Sequence, residues 1–141
     1  MRLMVIVKAN KDSEAGVMPP PELFEQMGRF NEELVKAGVM LAGEGLLPTA
    51  QGARIKFGGQ QPEVKQGPFD LTNDTIAGFW LIKTRSREEA IEWMKKAPFG
   101  GGEIELRQIA ELEDFGNAVP DDVKKQEVRL REQLEKQQKS A

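Results

Sequence analysis

The sequence predicts an α+β fold, an antiparallel sheet with two helices on one face, and three features predict it. Leu3 to Val7 and Ala77 to Lys83 are short, almost unbroken apolar runs, the pattern of strands buried on both sides. Each precedes a stretch of helical period, Leu23-Met27-Phe30-Leu34 in one case and Ala90-Trp93-Met94-Ala97 in the other. Each helical stretch leads into a further strand, so β-α-β occurs twice along the 141 residues.

The elements follow in order. Leu3 to Val7 is the first strand, closed by polar Asn10-Lys11-Asp12, and Asp12 to Met18 reads as a loop. Pro19-Pro20-Pro21 opens the first long helix, because a missing N–H is harmless in a first turn. Phe24 and Val35 are expected to widen its apolar stripe, and Gly38 stops it. Val39-Met40-Leu41 starts a strand running to Gly43-Glu44-Gly45. Ala53, Ile55 and Phe57 alternate with Arg54 and Lys56 as a half-exposed strand, and Glu63-Val64-Lys65 returns beside it as a hairpin. Ala77 to Lys83 is the strand with two greasy faces. Ser86-Arg-Glu-Glu89 is a capping box for the next helix, which Pro98 ends. Glu103 to Arg107 alternates as the last strand. From Val119 onward a few apolar residues lie among many charges, with Asp121 and Asp122 first and Lys136 and Lys139 last, as a solvated helix prefers. The expected division is a domain over 1–115 and a charged helical extension over 116–141.

This order is the split βαβ, or ferredoxin-like, arrangement with a hairpin insertion. Right-handed crossovers place the first strand and Ala77 to Lys83 at its centre. Helices cover one face only, and an apolar reverse face of that size is unusual on a monomer. A second copy packed sheet to sheet follows as the expectation, a homodimer with two-fold symmetry.

Composition narrows the chemistry. There is no histidine, cysteine or tyrosine. Ser-His-Asp and Cys-His nucleophile systems are therefore excluded, and disulfides with them. Zinc would need an all-carboxylate site, so no metal or cofactor is expected. The net charge is −3 with both signs mixed, and no basic block marks a nucleic-acid surface. Met1 to Ala9 is too short to span a bilayer and lacks a cleavage site, so no membrane association is expected and a cytoplasmic protein is.

The chain resembles the YCII-related family, in the branch known for an Asp-Gly-Pro-Phe motif. The matching pieces are Ala42-Gly-Glu-Gly-Leu46, Gly67-Pro68-Phe69, Gly78-Phe-Trp-Leu-Ile82, Glu88-Glu-Ala-Ile-Glu-Trp93 and Gly102-Glu-Ile-Glu-Leu-Arg107. The resemblance covers about Met1 to Phe115 and implies the architecture of the dimeric α/β barrels. Gln66 stands where the motif has Asp, and Leu71 and Asn73 stand where Glu and Lys are expected. Some members carry a His–Asp pair proposed as catalytic, which a chain without histidine cannot have. Most members are uncharacterised; a few relatives look like dehydrochlorinase or lyase-like enzymes on ring compounds, and others resemble partners encoded beside alternative sigma factors.

Candidate site residues follow from position and chemistry. Glu44, between two glycines at a strand end, is the candidate general base, or else a solvated strand-end carboxylate or one paired with Arg54 as a structural ion pair. Arg54 is the candidate anion contact through its planar fork, with Lys56 on the same strand face. Phe69 of the Gly-Pro-Phe turn is a candidate pocket wall, and Asp70, a candidate ligand contact, either forms a carboxylate pair with Asp74 or lies in a solvated loop. Trp80 and Phe79 point to opposite sheet faces, one toward the core and one toward an interface or a small cavity. Gly100-Gly101-Gly102 lacks the lysine and following helix of a phosphate loop. The cleft is expected between sheet and helices near Glu44, Arg54, Phe69 and Trp80. Three readings of function stand: a small-molecule-binding or accessory protein without catalysis; a weak lyase or isomerase on a small anionic or aromatic compound, with Glu44 as base; and a partner for another protein through the charged tail, which requires Val123, Leu130 and Leu134 to be unburied.

Overall fold

The apolar runs become the inner strands of an antiparallel sheet in the computed structural model, which describes Met1 to Ser140. They are β1 (Arg2–Lys8) and β5 (Ile76–Lys83), flanked by β2 (Met40–Gly45) and β6 (Ile104–Gln108) in the order β2-β5-β1-β6. Val5 lies opposite Trp80 and Leu106, and Leu3 lies opposite Ile82. Those residues therefore share one face. Phe30 and Leu34 of α2 (Pro21–Lys36) and Ala90 and Met94 of α3 (Arg87–Met94) pack on that face with Val39 to make the core. Residues one step along the same strands, Met4, Ile6, Phe79 and Leu81, share the reverse face and are half-buried. The chain is thus mixed α+β with helices on an antiparallel sheet.

Local chemistry explains each boundary. Pro21 occupies the first position of α2, and Gly38, at φ +72°, turns the chain out of it. The stripe of α2 is narrower than its sequence suggests: Phe24 and Val35 are exposed, because only Leu23, Met27, Phe30 and Leu34 line up over the sheet. At α3 the Ser86 hydroxyl accepts from the Glu89 N–H at 3.1 Å, while the Glu89 carboxylate reaches back to the N–H of Arg85 at 3.0 Å instead of that of Ser86. Ser86→Ala is expected to lower stability by about 1 kcal/mol, seen as an earlier denaturant midpoint at unchanged slope.

The predicted loop after β1 contains one helical turn, α1 (Lys11–Glu14), capped reciprocally by Asn10 and Ser13. A single turn is too short for hydrophobic periodicity to reveal. The hairpin is present as β3 (Ala53–Lys56) and β4 (Glu63–Gln66), a separate two-stranded sheet. Both strands are exposed along their whole length, not half-exposed, because no layer covers either side.

The fold divides into two units, the first being Met1–Ile109 and the second beginning at Ala110. The second contains a 3-10 segment (Leu112–Ala118) and α4 (Asp121–Ser140), which among its described residues buries none. No helix among the described residues is long and apolar enough to cross a membrane.

Candidate functional site

A cavity of about 750 Å³ opens where β1 and β6 meet the start of α2 and the end of α3. Its wall is mainly apolar, built from Val7, Met18, Leu23, Met94, Phe99 and Ile104. The strand ends supply Val7 and Ile104, because those two residues pair across β1 and β6 on the core face. Phe99 follows α3 and meets Trp80 edge to face at 6.1 Å, so its ring is held from behind. Polar side chains at the cavity come from Lys8, Asn10, Asp12, Ser13, Lys95 and Glu103. Lys8 is already engaged, with its ammonium 3.3 Å from Glu105 Oε1. Among the described residues no group of Asp or Glu is arranged to hold a metal ion.

The Gly-Pro-Phe turn lies elsewhere and is held tightly. The Gly67–Pro68 peptide is cis. The Gly67 N–H donates to the Gly52 carbonyl at 2.9 Å, and the Phe69 N–H donates to Thr49 Oγ1 at 3.0 Å. Thr49 donates twice to the Glu14 carboxylate, from its N–H at 3.1 Å and from its hydroxyl at 2.6 Å. A Cβ on Gly67 would fall on the Thr49 carbonyl oxygen, so this position admits only glycine. The Arg54 guanidinium lies 4.0 Å from the centre of the Phe69 ring, and the Lys65 ammonium lies 5.8 Å from it.

The structure joins some of the expected site residues and separates others. Arg54 and Phe69 meet, as a cation over a ring. Asp70 is exposed beside them. Trp80 is core: the residue is 5% exposed, and its ring packs edge to face on Phe30 at 5.9 Å and donates Nε1–H to Asn31 Oδ1 at 2.9 Å. Gly43 makes room for that ring, since a Cβ there would come within 2.9 Å of it. Glu44 is exposed and pairs in register with Phe79, whereas Gly43 pairs with Trp80. Register alone therefore puts Glu44 and Trp80 on opposite faces of the sheet. No single cleft gathers Glu44, Arg54, Phe69 and Trp80, and none of them lines the large cavity. Among the described residues Glu44 and Arg54 form no ion pair with each other.

Sequence reasoning missed Glu14 and Thr49. The Asn10-x-x-Ser13 cap was a legible signal for the turn that carries Glu14, but nothing in the sequence links Glu14 to a threonine 35 residues away.

Residues 1–113 match the YCII-related domain. An uncharacterized protein of Rhizobium meliloti (strain 1021) is similar, 26% identical over 91 residues that cover 62% of this chain and 73% of that protein. The matched span takes in the whole sheet, both long helices of the first unit and the Gly-Pro-Phe turn, and the chain belongs to the YCII-related family.

Proposed function

We propose that this chain is a cytoplasmic, homodimeric small-molecule-binding protein, with the cavity at the end of β1 as its ligand site. The cavity carries the reading. Its volume of about 750 Å³ lies in the range of small-ligand sites. Its wall of Phe99, Met18, Leu23 and Ile104 suits a compact ring compound with few polar groups. Catalysis is the weaker alternative, because Glu44 lies outside this cavity on an exposed strand end. The subunit reads as ferredoxin-like with a hairpin insertion. The half-buried reverse-face cluster of Met4, Ile6, Phe79 and Leu81 supports pairing of two sheets in the manner of a dimeric α/β barrel.

A screen of aromatic and alicyclic compounds by NMR tests the site. Binding is expected to shift resonances of Val7, Leu23, Phe99 and Ile104 together. Leu23→Trp, which fills the cavity from its rim, is expected to weaken binding about tenfold or more. Shifts confined to Arg54, Lys65 and Phe69 would move the ligand site to the hairpin and overturn this assignment.

The reading of α4 as a protein-docking helix has one observation in its favour. Val123, Leu130 and Leu134 are 41%, 46% and 49% exposed along one side of that helix. This is the state that a helix-in-groove partner would need.

A further inference from the structure

We infer that Glu14 and Thr49 form a latch through which the Gly-Pro-Phe turn positions the outer wall of the cavity; the inference rests on the cavity's being the ligand site. That wall is the segment 10–20, which contributes Asn10, Ser13, Val17 and Met18. It has little to hold it in place. Its helix is one turn long with no buried residue, and Val17 and Met18 are 55% and 75% exposed. A helix of that length has no stability of its own. Its cap is internal, between Asn10 and Ser13, and the Val17 N–H returns to the Asp12 carbonyl at 2.9 Å. Among the described residues the only hydrogen bonds joining 10–20 to a distant element are the two that Glu14 accepts from Thr49.

Thr49 has a second engagement. Its hydroxyl donates to Glu14 and accepts from the Phe69 N–H, so one oxygen joins the cavity wall to the motif turn. Its carbonyl accepts from the Gly52 N–H and lies against Gly67. The chain of contacts is then Arg54 on Phe69, Phe69 to Thr49, Thr49 to Glu14, and Glu14 to the segment that bounds the cavity. The family motif thereby acts at a distance, by positioning, without touching ligand. Coupling of this kind is reciprocal: a ligand that orders the wall also steadies the motif turn.

Three variants and two readouts test this. Thr49→Val keeps the shape and removes both hydroxyl bonds, Thr49→Ser keeps the hydroxyl, and Glu14→Gln weakens the acceptor. Amide exchange reads the wall directly at Ala15, Gly16 and Val17, and a fluorescence titration with 8-anilino-1-naphthalenesulfonate reads the cavity. Thr49→Val is expected to speed those exchanges about tenfold and to weaken dye binding about fivefold. Exchange at Leu3, Val5 and Ile82 should stay slow, which separates wall release from general loosening. Thr49→Ser should restore both readouts, and Glu14→Gln should fall between. Unchanged exchange at Ala15 to Val17 in Thr49→Val overturns the latch. Faster exchange with unaltered dye affinity overturns its link to the cavity. Dye binding that Leu23→Trp does not weaken overturns the cavity assignment itself, a different failure that leaves the exchange result as the measure of the latch.

Discussion

Gly67→Ala is expected to destabilise the first unit by about 3 kcal/mol. The added methyl would occupy the place of the Thr49 carbonyl oxygen, a backbone atom that cannot rotate aside. Thr49 is also held through that carbonyl by the Gly52 N–H at 2.9 Å, so it has no easy retreat. The turn must move away, and the Phe69 N–H then loses its bond to Thr49 Oγ1. Urea unfolding checks the magnitude, and loss of the Phe69 amide signal from its folded position checks the cause. Gly101→Ala is the control, because a Cβ there meets nothing within 4 Å. A loss below about 0.5 kcal/mol for Gly67→Ala would mean that the turn accommodates the methyl.

Leu81→Lys is expected to break the proposed sheet-to-sheet dimer, raising its dissociation constant about a thousandfold or more, since two uncompensated ammonium groups would be buried by symmetry. Leu81 lies opposite Met4 and Ala42 on the reverse face of the sheet. It is half-buried in the single chain, so the subunit itself should fold with an unchanged circular dichroism spectrum. Sedimentation velocity distinguishes the states. Phe24→Lys, at an exposed position of α2, should leave the dimer intact. Wild-type protein that sediments as a monomer at micromolar concentration would remove the dimer and the sheet-to-sheet reading with it.

The elements were legible because their signals are local. The stripe of Leu23, Met27, Phe30 and Leu34, the cap at Ser86 and the stop at Gly38 each depend on residues a few positions apart. The hairpin was legible from alternation, though its exposure was not, since alternation shows that two faces differ without showing what covers either. The role of Trp80 was half legible: its strand was plain, but only pairing with Gly43 determines that the ring enters the core. The candidate site was much less legible. Of the four residues expected around one cleft, Arg54 and Phe69 meet, whereas register puts Glu44 and Trp80 on opposite faces of the sheet.

By itself the sequence determined the main strands and long helices, their order, the absence of histidine and thiol chemistry, and the family. The tertiary structure decided where the chain forms a cavity and which residues the motif turn contacts. The cavity draws on β1, β6, both long helices and a loop, and the latch spans 35 residues on one side of Thr49 and 20 on the other. Periodicity and caps act within a turn or two of chain. Cavities and hydrogen-bond relays depend on which face each residue presents after the strands have paired, and that pairing is set by the whole sheet.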